Sequence, residues 1–186
     1  MLNLENITDR IRETFDNEDD DKALREILDS YHCADLAEIL QELKPDERIR
    51  AFKAIEEDKA AEILEFLPPQ IQVELLSNIG EEHAARLIVK MPHDEVADVF
   101  AEMEDDATES YLEKLPENFS TEIRELLAYK GDSAGGIMTP HVLTENKDMR
   151  VEDVLLFIKS KAEQDEFELY YIYVTDNQKH LLGVLS

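Results

Sequence analysis

The sequence predicts a mainly α protein: a superhelical stack of short helices, followed by a short α/β segment that starts near residue 131. Three observations carry this. A helical phrase closed by proline recurs along the first 130 residues. Glycine is almost absent there, Gly80 being its sole occurrence, whereas three of the chain's five glycines crowd into Gly131-Asp-Ser-Ala-Gly-Gly-Ile-Met-Thr-Pro140. Beyond that stretch the apolar spacing changes to strand, helix, strand, turn, strand. Glycine allows backbone conformations and close approaches that other residues do not, so the cluster marks a joint.

The chain begins with an amphipathic helix over residues 1 to 16, on which Leu4, Ile7, Ile11 and Phe15 recur three or four apart. The acidic run Glu18-Asp-Asp-Asp21 follows. It lacks the alternating acids and central glycine of a calcium-binding loop, so it predicts a helix start. A helix then runs from about Lys22 to Tyr31. From there the phrase repeats: Asp35-Leu-Ala-Glu-Ile-Leu-Gln-Glu-Leu-Lys-Pro45, Ala60-Ala-Glu-Ile-Leu-Glu-Phe-Leu-Pro68, Ala84-Ala-Arg-Leu-Ile-Val-Lys-Met-Pro92 and Ala107-Thr-Glu-Ser-Tyr-Leu-Glu-Lys-Leu-Pro116. The four prolines are 23, 24 and 24 residues apart. Proline suits the first turn of a helix and cannot continue one, so each unit is a pair of short helices. No single pair buries its apolar stripe alone, and stacked pairs share one core. Periodicity leaves the hand of the superhelix open.

After the glycine stretch, residues 142–144 read as a strand and residues 149–162 as a helix with Val151, Val154, Leu155 and Ile158 on one face. Residues 170–175, Tyr-Tyr-Ile-Tyr-Val-Thr, read as a buried strand. Residues 176–180 form a turn and residues 181–185 the next strand. An apolar strand edge at the last residue implies that the sequence is truncated.

Charge narrows the function classes. Lys+Arg number 19 and Asp+Glu 45, a net of −26, of which the first 130 residues carry −21. Binding nucleic acid through its phosphates needs the opposite sign, and an anionic membrane surface repels such a chain. Cations or a basic protein are the complementary partners; solvated helix faces that maintain solubility account for the charge equally well. The one cysteine, Cys33, excludes an internal disulfide and a multi-cysteine zinc site. No apolar run approaches the about 18 residues needed to cross a bilayer, and the start lacks the features of a signal peptide, so the chain is expected to be cytoplasmic. His32, His83, His93, His141 and His180 are scattered without ligand spacing, and no nucleophile and base are paired, so an enzyme is not expected.

The second segment resembles the opening of a CBS module, a nucleotide- or ion-responsive regulatory unit. Met138-Thr-Pro140, the helix near Val151-Glu-Asp-Val154, Tyr171-Ile-Tyr-Val-Thr-Asp176 and Leu182-Gly-Val-Leu-Ser186 carry the match in order. Joined to the acidic repeats, the whole arrangement resembles the cytosolic portion of MgtE-type magnesium channels: residues 1–130 as the acidic superhelical N-terminal domain, residues 131–186 as connector and incomplete first CBS domain. The resemblance implies a homodimeric channel at the cytoplasmic face of the cell membrane, with intracellular Mg²⁺ docking the acidic domain on the CBS pair to hold the pore closed. It also implies the metal residues Glu62, Asp94 and Asp98. From spacing alone, Asp94 reads as an ordinary helix cap and Asp98 and Glu62 as ordinary solvated positions; it is the resemblance that adds the metal reading. ATP is implied only for a complete CBS region: Tyr171 matches an aromatic that can stack on adenine, but reads first as a core tyrosine. Two other functions fit parts of the pattern. Acidic helical repeats also resemble those of the flagellar motor switch protein, a protein-binding adaptor, and a soluble adenine-nucleotide-sensing CBS protein would share the second segment.

Overall fold

The computed structural model describes residues 4–15, 21–140, 142–162 and 171–186. Residues 18–20 of the acidic run, His141 and Tyr170 lie outside the described residues. Ten helices come first: α1 (Leu4–Phe15), α2 (Asp21–Asp29), α3 (Cys33–Glu42), α4 (Pro45–Lys53), α5 (Glu57–Glu65), α6 (Pro69–Asn78), α7 (Glu81–Ile88), α8 (His93–Ala101), α9 (Asp105–Leu112) and α10 (Glu117–Leu127). A three-stranded sheet with one helix follows, and the fold is mainly α, as the sequence predicts. The chain forms two compact units, Met1–Met138 and Thr139–Ser186.

From α2 to α10 every helix begins twelve residues after the one before, at residues 21, 33, 45, 57, 69, 81, 93, 105 and 117. The helices therefore keep a strict 24-residue pair even though the first two sequence prolines are 23 apart. Pro45 is the first residue of its helix, while Pro68, Pro92 and Pro116 stand one residue earlier, in the N-cap. Proline fixes φ and has no N–H to leave unpaired, so either site suits it.

In the α2, α3, α5, α7 and α8 units, positions 4, 7, 8 and 11 are apolar and turn inward: Leu36, Ile39, Leu40 and Leu43 in the α3 unit, and Val96, Val99, Phe100 and the half-buried Met103 in the α8 unit. This is the i, i+3, i+4, i+7 pattern of one helix face. Helices of alternate number pack on each other. α1, α3, α5 and α7 make one layer, α4, α6, α8 and α10 the other, and the core lies between them.

Three buried fourth positions hold polar residues instead, and all three do the same thing. Arg48 Nε donates to the Leu40 carbonyl at 2.7 Å, Gln72 Nε2 to the Leu64 carbonyl at 2.8 Å, and Thr108 Oγ1 to the Phe100 carbonyl at 3.2 Å. Each acceptor is the eighth residue of the preceding helix. A helix leaves its last carbonyls without intrahelical donors, and a stack of short helices buries those ends. Arg48 adds the Leu43 carbonyl at 2.9 Å and an ion pair with Glu74 at 2.7 Å; Gln72 adds the Leu67 carbonyl at 2.8 Å. Tyr111 reaches further back, its hydroxyl donating to the Leu76 carbonyl at 3.0 Å.

In the second unit, β1 (Leu143–Asn146) pairs in parallel with β2 (Ile172–Thr175), with α11 (Val151–Ala162) between them in sequence, and β3 (Leu181–Leu185) adds antiparallel to β2. The first strand starts one residue later than the sequence suggests, and the helix two. The buried strand expected at residues 170–175 requires correction: Ile172–Thr175 is half-buried throughout. So does the core assignment of Tyr171, which is 53% exposed. Leu156, Leu181 and Leu185 are also exposed, because among its own described residues this unit has no second layer to cover its sheet and helix.

Arg48→Met should lower stability most among the three fourth-position donors, by about 2–3 kcal/mol, because it strips two buried carbonyls and leaves Glu74 without its partner. Gln72→Leu should cost less, and Thr108→Val about 1 kcal/mol. Urea denaturation of each variant reads the order directly; equal losses in all three would refute a capping role.

Candidate functional site

Asp94 and Asp98 are the second and sixth residues of α8, one turn apart on the same side. The cap of this helix is Pro92, with φ −56° and ψ 141°, so Asp94 is not the capping residue. Asp94 and Glu95 stand in the first turn, where the helix dipole favours carboxylates. The inward face, Val96, Val99 and Phe100, fixes the rotation of α8, and that rotation leaves Asp94 half-buried and Asp98 exposed.

The chain returns to these carboxylates after α10. Leu126 and Leu127 at the end of that helix, then Tyr129, Gly131, Gly136 and Met138, line one cavity of about 60 Å³ together with Asp94, Ala97, Asp98 and Ala101. The glycine stretch makes this return possible. Ser133 N–H donates to the Lys130 carbonyl at 2.9 Å and Gly136 N–H to the Ser133 carbonyl at 3.0 Å, closing two successive turns. A Cβ on Gly135 would overlap the Tyr129 ring, and one on Gly136 would overlap the Lys130 carbonyl. Sequence reasoning assigned this stretch only as a connector. Its signal was the failure of the twelve-residue period, which would start another helix at residue 129.

Glu62 lies elsewhere. It is the sixth residue of α5, as Asp98 is of α8, but α5 and α8 belong to different layers. Glu62 lines a separate open groove of about 510 Å³ with His32, Cys33, Lys59 and Phe66. Burial, and then the Glu62 carboxylate beside it, pushes the Cys33 thiol up. The structure thus brings Asp94 and Asp98 together and places Glu62 on another surface.

The electrostatics separate the acidic residues into two kinds. Some are answered by cations: Arg86 meets Glu57 at 2.7 Å, Lys90 meets Asp58, Lys114 meets Glu81 at 2.6 Å, and Arg124 grips Glu109 with bonds of 2.7 and 2.6 Å. Lys114, Arg86 and Arg124 respectively hold Glu81, Glu57 and Glu109 below the usual carboxylate range. Around Asp94 the shifts run the other way. Burial and then the charge of Asp94 raise Asp98, and burial followed by Asp94 and Asp98 raises Glu95. Among the described residues no Lys or Arg forms an ion pair with Asp94, Glu95 or Asp98. Nor is any group of three or more His, Cys, Asp or Glu arranged to hold a metal ion. Two carboxylates without a cage suit a cation that keeps most of its water, as Mg²⁺ does.

A carboxyl raised in the folded state stabilises below its ordinary pKa and loses that contribution as pH rises through the raised value. Asp98→Asn should therefore raise Tm at neutral pH in metal-free buffer. The gain should vanish below the ordinary aspartate value of 3.8 and be complete above the raised one. A gain that is the same at every pH would show that charge is not its source.

Comparison with known proteins identifies the family. The family model described as the MgtE intracellular N domain matches residues 31–132, more than half of the chain. The magnesium transporter MgtE of Thermus thermophilus is 37% identical over 173 residues, which cover 91% of this chain and 38% of that protein. That of Enterococcus faecalis is 38% identical over 65 residues, 35% of this chain and 14% of the other. This chain therefore spans well under half the length of these relatives. Among solved structures, the cytosolic domain of the Mg²⁺ channel MgtE in complex with ATP superposes with a TM-score of 0.82 at 34% identity, covering 96% of this chain and 73% of that one. The soluble part of a magnesium transporter shares the fold, with a TM-score of 0.75 at 24% identity over 98% of this chain and 72% of the other. No helix among the described residues is long and apolar enough to cross a membrane. The chain belongs to the MgtE intracellular N domain family and has the fold of the cytosolic domain of a Mg²⁺ channel.

Proposed function

We propose that the chain is a cytosolic Mg²⁺-sensing regulatory region of an MgtE-type magnesium channel, at the cytoplasmic face of the membrane. In this reading residues 1–130 are the acidic sensor domain, and residues 131–186 are the connector and the start of a first CBS domain. Mg²⁺ bridges acidic faces of the N domain and the CBS region of a homodimer, and the bridged form favours a closed pore. Asp94 and Asp98 hold the ion on the N-domain side; Glu62, on its separate surface, contributes to a second bridge. The observation that carries this is the charge around Asp94: burial and then neighbouring carboxylates raise Glu95 and Asp98, and among the described residues no Lys or Arg forms an ion pair with Asp94, Glu95 or Asp98.

The physics is linkage. Two acidic faces repel at short range unless cations lie between them. An ion that binds the docked form better shifts the population toward it by that difference in affinity. The chain supplies the carboxylates and the field, and Mg²⁺ supplies two positive charges with a firmly held water shell. ATP belongs to the complete CBS region in this reading; Tyr171 is exposed and sterically able to stack on an adenine.

The test is thermal unfolding in MgCl₂ and in NaCl at matched ionic strength. Mg²⁺ at millimolar concentration should raise Tm beyond the Na⁺ value, and Asp94→Ala with Asp98→Ala should remove most of that difference. Equal stabilisation by both salts would reduce the effect to screening. A rise with adenine nucleotides but not with Mg²⁺ would favour a nucleotide-sensing CBS protein.

A further inference from the structure

We propose that residues 129–138 are a lid on the Asp94/Asp98 pocket, closed by Tyr129, Gly135 and Gly136, and that lid closure and divalent-cation binding favour each other. The proposal rests on the assignment of Asp94 and Asp98 as a Mg²⁺ site and adds the element that regulates it.

Three features carry it. The pocket has two walls of different kinds: Asp94, Ala97, Asp98 and Ala101 from one helix, and Tyr129, Gly131, Gly136 and Met138 from irregular chain. The second wall exists only while that chain stays folded back. Its closeness is built in, because the Tyr129 ring occupies the space a Gly135 side chain would need and the Lys130 carbonyl the space of a Gly136 side chain. Finally, the bonds that hold it are local. Ser133 Oγ to the Lys130 carbonyl at 2.7 Å and the two backbone bonds of the turns stay within residues 130–136, and the Tyr129 N–H adds only the Leu126 carbonyl at the end of α10, at 3.0 Å. A segment held by few, exposed hydrogen bonds opens at low free-energy cost. Closing it narrows a pocket that already carries two like charges, so a cation in the pocket removes the main opposition to closure. By reciprocity, whatever holds the lid shut strengthens cation binding by the same factor.

Residue-selective NMR separates the parts. With ¹⁵N-labelled glycine and alanine in the full chain, Ala97 and Ala101 report the helix wall and Gly131, Gly135 and Gly136 the lid. Gly80, the N-cap of α7 and not a lining residue of the pocket, is the internal control. Titration with MgCl₂, against NaCl at matched ionic strength, should shift both walls with one midpoint and leave the control still. Gly135→Ala displaces only a ring, and Gly136→Ala strikes backbone; each should move the Ala97 and Ala101 midpoint to about fivefold or more higher Mg²⁺, the low end of such couplings. A helix-wall response with the lid glycines unmoved, or with unchanged midpoints in both variants, overturns the lid and leaves the site standing. No saturable response at either wall removes the site itself, and the lid with it.

Discussion

A helix of nine residues is about 13 Å long and marginal in water, and its last carbonyls have no donor of their own. Everything in the first unit answers that constraint. Four apolar positions in twelve give each helix one inward stripe, and alternate stacking joins the stripes into a single core. The stacking that buries the stripes also buries the carbonyl ends. Arg48, Gln72 and Thr108 meet the second need from the position where other units carry Leu36, Ala60 or Val96. The same site in the repeat can be apolar or donor-bearing because it faces both the core and the end of the preceding helix.

That arrangement leaves the outer positions free to set charge. The pair joining Glu57 to Arg86 links α5 and α7 of one layer, and Glu81 to Lys114 ties α7 to the residues just after α9; being exposed, they add little stability each. Their effect is to distribute charge: these carboxylates are answered within the chain, while others are not. At Asp94, Glu95 and Asp98 the imbalance is local and directional. A fold already stabilised by its core tolerates such repulsion, and a site that repels itself until a cation arrives is what a cation-dependent contact requires.

Much of the helical unit was legible because period and composition are properties of neighbouring residues. The proline-closed phrase announced paired helices, and Val96, Val99 and Phe100 announced which way α8 turns. The exact 24-residue period was hidden by Pro45, which sits inside its helix while Pro68 sits before its own. The second unit was read in the right order, but the burial expected for Tyr171 was not: burial depends on what lies across the sheet, and a strand's own sequence does not contain it.

The sequence by itself determined the helical repeat, the acidic surface and the carboxylate pair one turn apart, since each follows from i, i+3 and i+4 spacing along one element. Only the tertiary structure decided which carboxylates share a place. Glu62 and Asp98 hold the same position in their units, yet alternate stacking sends α5 and α8 into different layers. Asp98 instead gains residues from some thirty to forty positions later, Tyr129 through Met138, because glycine lets the chain turn back closely enough to touch α8. Spacing orders residues along a helix; the meeting of two distant segments is set by packing and by the space that a missing side chain leaves.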